Sequence, residues 1–423
     1  METVHKKQVR IGCVGLSGRG SGMLGLLLQI EGVVVPAVCD KVPGRMEHGI
    51  EIVKSAPGCN YDVRGYLDYK ELLEKEKLDA LMICTTWITH SRIAADAMRA
   101  GLNVAFEVGG AASVEECWEL VRTSEQTGKF CMLLENCCYA KEEMAVYNMH
   151  KQGLFGELIH LQGGYQHDLR EEITLGRETI HGRLFNFMNR NGELYPTHQL
   201  GPIAKLLNIN RGNRFVSLTS MASKAAGLND WIKKNKGRDY DLYNYSFTCG
   251  DVVTTMLKCA HGETVVLIHD CSLPRPYSRN GRVQGTNGIW MEDGNRIFIE
   301  GLSKGEHEWD HAWESFDEYK EKYAHPLWSK YTKEGVKAGH GGMDYLVLSA
   351  FVESATDNLH PPIDVYDTAV WMAVTCLSEQ SVALGSMPVA FPDFTNGMWI
   401  DREPFRRGVY CLDDVCHEFF AEE

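Results

Sequence analysis

The hydrophobic pattern of the chain changes character near residue 137. Before that point, short apolar runs alternate with helical segments. "QVRIGCVGLSGRGSGMLGLLLQ" (8–29) reads as a strand, a glycine-rich turn and an apolar helix. "GVVVPAVCD" (32–40) is a second strand, and "LDALMICTTWITH" (78–90) is a buried strand carrying Thr85, Thr86, Trp87 and His90 at its end. "SRIAADAMRAG" (91–101) predicts a helix ended by glycine, and "LNVAFEV" (102–108) a strand. "SVEECWELVRTSEQTG" (113–128) predicts a helix capped by Ser113, and "KFCMLLEN" (129–136) closes the series. This alternation implies a doubly wound α/β unit, a parallel sheet with helices on both faces.

Beyond residue 137 the period shortens. "EEMAVYNMHKQGLFG" (142–156) is an amphipathic helix. Longer alternating strands follow in "ELIHLQGGYQHD", "NRFVSLTSMAS", "NYSFTCGDVVTTMLKCA", "ETVVLIHDCSL" and the stretch 282–300. They predict an α+β domain with a large, open, mostly antiparallel sheet covered on one face. "VYDTAVWMAVTCLSEQSVAL" (365–384) is a late helix, and 171–194 is irregular and long enough for an active-site loop. The division predicted is 1–137 and 138–423. An open sheet with one free face also suggests a homodimer.

Composition narrows the function classes. The 423 residues are 44% hydrophobic, enough for two cores. The formal charge of -14 argues against nucleic acid or an anionic membrane as partner. Basic runs are confined to Lys6-Lys7 and the stretch 233–236, the latter a solvated loop. No run approaches the ~18 apolar residues of a membrane helix. The first residues lack the apolar core of a signal peptide, which favours the cytoplasm, although a mature exported form would read the same. The 14 cysteines are scattered without a C-x-x-C, so buried thiols in a reducing compartment are expected and a metal site is not.

The turn Gly15-Leu16-Ser17-Gly18-Arg19-Gly20 fits G-x-[G/S]-x-x-G. Glycines there permit a tight turn and close approach of a pyrophosphate to the helix N-terminus. Alone, the motif is equally a plain turn before a core helix. Asp40 at the end of the second strand changes that balance, because it is placed to bind ribose hydroxyls and disfavours a 2′-phosphate. The implied cofactor is NAD. Trp87, His90, Glu107, Val108, Glu135 and Asn136 all fall at strand ends, where ligands of such sheets lie.

Three polar clusters mark the second half. In "GGYQHDLR" (163–170), Tyr165 and His167 share a strand face and could enter a cleft together. "GELYPTHQLGP" (192–202) carries Tyr195 and His198 in a turn before a helix expected after Pro202; the pair suits proton transfer, or the histidine is only a cap. "AGHGGMDY" (338–345) offers His340 and Asp344 as functional groups or as residues that only orient a turn.

The chain resembles the Gfo/Idh/MocA oxidoreductases and, more closely, glycoside hydrolase family 109, the NAD-dependent α-N-acetylgalactosaminidases. The resemblance is carried by "LLENCCY" (133–139), "GLFGELIH" (153–160), "GGYQHDLR", "NRNGELYPTH" (189–198), "GDVVTT" (250–255), "HDCSLPRPY" (269–277), "VQGTNG" (283–288), "AGHGGMDY" and "DFTNGMW" (393–399). It implies a redox-neutral retaining glycosidase. NAD⁺ oxidises C3 of the sugar, a base removes the C2 proton, and the aglycone leaves by elimination. Water then adds at C1, and C3 is reduced again. The resemblance places Tyr165, His167, Tyr195, His198, Arg183 and Tyr277 in the substrate pocket and Glu135 at the edge of the nicotinamide pocket. It also implies that Ser17, Gly18, Arg19, Gly20, Asp40, Trp87, His90, Glu107, Val108 and Asn136 hold the NAD. Stretches 171–188 and 289–330 match poorly, so the sugar and aglycone are less constrained than the reaction.

Related sugar dehydrogenases carry a lysine base after the glutamate of the "NVAFEV" strand. Val108 stands there, as the family implies, so other groups must move the protons. Tyr165 and His198 are the expected proton-transfer residues, with His167 and Tyr195 positioning the sugar. An ordinary tyrosine, with a pKa of roughly 10, needs positive neighbours to act as a base. The rival reading is an NAD-dependent sugar dehydrogenase, which Val108 disfavours.

Overall fold

The computed structural model describes residues 8–304, 312–337 and 339–420. The Lys6-Lys7 pair and Ala338 of the third cluster lie outside the described residues. In the first half, β1 (Val9–Val14), β2 (Val33–Cys39), β3 (Arg64–Tyr66), β4 (Ala80–Ile83), β5 (Asn103–Phe106) and β6 (Cys131–Leu133) form one sheet. Its order is β3-β2-β1-β4-β5-β6, with every pair parallel. Ile11, Val35, Leu81, Ile83 and Val104 are fully buried, as both-face covering requires. The order in which strands are added along the sheet reverses between β1 and β4, so a crevice opens at their carboxyl ends.

Local signals explain where elements depart from the reading. The strand expected over 78–90 stops at Ile83, and a helix runs Trp87–Arg99. Its buried residues His90, Ile93, Ala94, Ala97 and Met98 recur at helical spacing, so Trp87 and His90 belong to a first helical turn, not to a strand end. The helix expected to reach 156 ends at Lys151, before the left-handed Gly153.

The second sheet contains β7 (Leu158–Gln166), β8 (Phe215–Ala222), β9 (Val252–Cys259), β10 (Thr264–Asp270), β11 (Arg282–Gly285), β12 (Gly288–Met291), β13 (Arg296–Ile299), β14 (Glu314–Ser315) and β15 (Val389–Ala390). Its order is β14-β13-β12-β11-β7-β10-β9-β8-β15. Among the described residues only β7 and β10 of this sheet pair in parallel, so the sheet is mostly antiparallel as expected. The stretch 282–300 is three strands, broken at Thr286-Asn287 and at the left-handed Gly294-Asn295.

Two other departures bear on the site. Stretch 171–194 is not irregular throughout: it contains helices Arg170–Thr174 and Arg183–Asn189, and Arg183 opens the second. The helix expected after Pro202 begins at Thr197 and includes it, which puts His198 in its first turn. Pro202 lacks the N–H that would bond the His198 carbonyl, a local loss that the surrounding packing tolerates.

The long helix Val365–Ala383 packs on both the helix Val114–Thr127 and β8, tying the halves together. The Ala111 N–H donates to the Met372 carbonyl at 3.2 Å in the same seam. Asp364 caps this helix through the Tyr366 and Asp367 N–H groups. Around the cap lies a buried ion network. Arg211 meets Asp364 at 2.8 Å, Asp367 at 2.8 Å and Asp413 at 2.6 Å, while Lys205 meets Asp367 at 2.8 Å and Asp413 at 2.9 Å. Arg402 completes it on Asp364. Three carboxylates thus face three cations, and removing one leaves a buried charge uncompensated.

Candidate active site

The glycine turn after β1 is built for close approach. Gly15 has φ +92°, and a Cβ there would stand 2.6 Å from the Cys84 carbonyl. At Gly20 a Cβ would stand 2.0 Å from the Gly15 oxygen. Gly18, by contrast, faces open space. Ser17 begins the helix Gly18–Leu27 without a side-chain cap bond, leaving its first N–H groups to an anion. Asp40 ends β2; its carboxylate accepts from Leu16 N at 2.7 Å and Val42 N at 2.9 Å. Each oxygen keeps a further lone pair for a ribose hydroxyl. These features fit a dinucleotide.

Arg19 leaves the turn and is held from two sides. It donates to Glu107 Oε1 at 2.9 Å and, through both terminal nitrogens, to Asp344 at 2.6 and 2.9 Å. Asn136 donates to Asp344 at 2.7 Å, and His340 Nδ1 lies 2.7 Å from the same carboxylate. The third cluster therefore reaches from the second half onto the glycine turn. The Val108 N–H donates to Glu107 Oε2 at 3.2 Å. His90 is buried against Phe106, with Nε2 2.9 Å from the Thr85 carbonyl. Burial depresses it to about 4, so it supports the turn as a neutral ring.

Beside this cleft the expected pocket residues converge. The Tyr165 ring lies 4.5 Å from Tyr195, 5.4 Å from His198, 5.8 Å from His167 and 6.2 Å from Tyr277. His198 and Tyr195 are 4.9 Å apart, and His167 and Tyr277 5.1 Å. Arg183 lies over the rings of Tyr195 at 4.9 Å, Trp87 at 5.4 Å and Tyr165 at 5.6 Å. Trp87 and Tyr195 are 5.3 Å apart, which joins the pocket to the cleft. Glu135 is fully buried, and its Oε1 lies 2.7 Å from His198 Nδ1.

Electrostatics divide the cluster. Burial raises Tyr165 to about 12 against the opposing pull of Arg183, so the phenol keeps its proton at rest. Burial and Arg183 lower His167, which is therefore neutral and accepts the Tyr165 O–H through Nδ1 at 3.1 Å. Burial also opposes charge on His198, but the Cys137 sulfur and the Glu135 carboxylate lift it to about 10. Glu135 sits below its ordinary value: burial raises it, and His198 more than offsets that.

Residues 139–401 match the glycosyl hydrolase 109 C-terminal domain, and residues 9–134 match an oxidoreductase-family NAD-binding Rossmann fold. An α-N-acetylgalactosaminidase of Tannerella forsythia is 40% identical over 417 residues, covering 94% of this chain and 88% of the relative. The chain belongs to glycoside hydrolase family 109. A family 109 protein of Parabacteroides distasonis is 38% identical over 419 residues, covering 94% and 89%. Among solved structures, the WlbA dehydrogenase of Bordetella pertussis, in complex with NADH and UDP-GlcNAcA, shares the fold at TM-score 0.64 with 15% identity, covering 92% and 99%. No helix among the described residues is long and apolar enough to cross a membrane.

Three groups at this family 109 site escaped the sequence reading. Glu172 lies 2.8 Å from Arg183 Nε, off the N–H axis, and so acts by charge. Cys137 stands beside the Glu135–His198 pair; the adjacent cysteines were visible, but not which one turns inward. Glu193, fully buried, is raised by burial to about 8 and accepts the Tyr195 N–H at 3.3 Å. It stands two residues before Tyr195, where only its burial sets it apart.

Proposed function

We propose that the protein hydrolyses terminal α-N-acetylgalactosaminides with retention, through transient oxidation at C3 of the sugar. The observation that carries this reading is the Tyr165–His167–Tyr195–His198 cluster under Arg183, joined through Trp87 to the dinucleotide cleft, with Val108 where a dehydrogenase lysine would stand. The name of the Tannerella relative supports the sugar, and the family supports the bond cleaved.

The glycine turn, Asp40, Trp87, Arg19 and Asn136 would hold NAD, which supplies a reversible acceptor for the C3 hydrogen. The Glu135–His198 pair takes the proton of the C3 hydroxyl. At rest His198 is charged, so it first gives its Nε2 proton to solvent, a loss that a bound cationic cofactor would favour, and Nε2 then accepts from the hydroxyl. Once protonated, His198 hydrogen-bonds the C3 oxygen and acidifies the C2 proton. Tyr165 takes that proton while passing its own to neutral His167 across their hydrogen bond. Coupling the two transfers avoids a free phenolate in a site that holds Tyr165 near 12. The carbanion expels the aglycone from C1, whose oxygen takes a proton from solvent. Water adds at C1 and gives up a proton to solvent, the relay runs in reverse to return a proton to C2, and C3 is reduced again as His198 returns the proton to its oxygen. Arg183 and Tyr277 frame the sugar, and Tyr195 packs between Trp87 and Tyr165.

The test is turnover of a chromogenic α-N-acetylgalactosaminide with NADH absorbance followed in the same cuvette. Hydrolysis without accumulating NADH is the expected result. NADH building up with free sugar and no aglycone release would instead make the protein a dehydrogenase.

A further inference from the structure

Glu135, Cys137 and His198 turn three different donor atoms to one place. A carboxylate oxygen, a thiol sulfur and an imidazole nitrogen all lie within 4.8 Å of one another. The three come from short, well-packed elements. Glu135 caps the turn Asn136–Tyr139, on which Cys137 sits, and His198 lies in the first turn of Thr197–Leu206. Glu135 Oε1 already bonds the Cys137 N–H at 3.1 Å and His198 Nδ1 at 2.7 Å. Its Oε2 is buried with no hydrogen-bond partner among the described residues. Cys137 is itself 2% exposed, and the reaction proposed above gives it no task.

An O, S, N set of this kind suits one class of cation. Zinc-class ions combine thiolate, imidazole and carboxylate at about 2.0–2.3 Å and accept three protein ligands with a fourth position open. Magnesium and calcium prefer oxygen alone. Drawing the three atoms onto such an ion needs side-chain shifts of about an ångström. The carboxylate and thiolate together balance a dication, and the thiol proton and the proton between Glu135 and His198 go to solvent.

We propose that Glu135, Cys137 and His198 form a binding site for a zinc-class divalent cation, and that the bound metal inhibits the enzyme by occupying His198. The ligand spacing along the chain hides this set, since the third donor arrives only through the fold. The inhibition rests on the role proposed for His198; the binding does not.

The test uses the full chain with its cofactor and no substrate. Cadmium chloride is titrated while the thiolate-to-metal charge-transfer absorption is read, and zinc chloride is titrated against a competing chelator. One equivalent is expected, with Cys137→Ser losing the band and binding zinc more than about tenfold more weakly. Cys138→Ser, on the neighbouring thiol, keeps both. His198→Gln serves as the second ligand variant and weakens zinc to a similar degree. Zinc is then expected to slow hydrolysis of the chromogenic substrate, and chelator to restore it. Absence of stoichiometric binding, or an unchanged band in Cys137→Ser, would overturn the site. A band with no loss of turnover would overturn only the inhibition. If the glycoside is not hydrolysed at all, the cadmium band still decides the site.

Discussion

Glu135 Oε1 lies 2.7 Å from His198 Nδ1, and the carboxylate is wholly cut off from solvent. His198 is raised from 6.5 to about 10, so its charged form contributes fully below pH 6.5 and is lost as pH rises through about 10. Glu135 is lowered from 4.5, so its contribution is present above pH 4.5 and is lost as pH falls through its depressed value. The pair therefore persists across the neutral range. In Glu135→Gln the ring loses one of the two groups that raise it while Cys137 and its burial remain, so its titration should fall below about 10. NMR titration of the His198 ring checks this. Turnover at pH 7 should drop by about 10²–10³.

Tyr165 and His167 share a hydrogen bond of 3.1 Å that the relay uses. Tyr165→Phe keeps the ring packing against Tyr195 but removes the proton path. Turnover should fall by about 10²–10⁴, and His198→Ala should fall comparably. NAD released on denaturing either variant should match wild type, since neither side chain contacts the glycine turn or Asp40. Turnover close to wild type in either variant would remove that residue from the relay.

Glu193 offers a test of stability. Its folded value is about 8, raised by burial from 4.5. Between those values the unfolded chain is ionised while the folded chain keeps its proton. Stability therefore falls as pH rises across that window. Glu193→Gln can still accept the Tyr195 N–H and removes the ionisation. It should melt above wild type at pH 8, with the advantage shrinking towards pH 5. Denaturant curves at the two values decide it.

Much of the frame was legible because its signals are local. The turn at Gly15–Gly20 and Asp40 mark a dinucleotide fold by spacing alone, and the C-terminal strands alternate clearly. Trp87 and His90 were misplaced because the short strand Ala80–Ile83 passes into the amphipathic helix through Cys84-Thr85-Thr86, with no glycine or proline to mark the join. Pro202 misled because proline at a helix start is a local preference, and packing around Thr197–Leu206 overrode it. The Tyr and His residues of the pocket were legible by type, whereas Arg183 and Tyr277 came only from the family resemblance, and the partners of the pocket residues were not legible. Glu172 meets Arg183, and Cys137 meets His198, through turns whose rotation no period encodes.

Arg211 holds three buried aspartates at once, among them the cap of the helix that joins the two halves. Arg211→Met keeps much of the side-chain volume and leaves Lys205 and Arg402 to face three carboxylates. Loss of one partner from such a network costs about 3–5 kcal/mol. Urea unfolding at pH 7 should show a loss of that order. The deficit should narrow as pH falls and the aspartates take up protons.

Arg183 lies over three rings and pairs with Glu172 at 2.8 Å. Its planar guanidinium can stack on Tyr195 and still present N–H donors to a sugar; a lysine keeps the charge but not the plane. Arg183→Lys should therefore raise KM more than it lowers kcat, by about tenfold or more, because lost stacking misplaces the sugar in ground and transition state alike. Glu172→Gln leaves the stack in place and removes one negative charge near Tyr165. Arg183 then favours the phenolate more strongly, so the Tyr165 titration should move down from about 12 while KM changes little. Kinetics of both variants, with a phenolate absorbance titration of the second, separate the two roles. A KM rise in Glu172→Gln equal to that of Arg183→Lys would mean that Glu172 holds the guanidinium in place rather than tuning its charge.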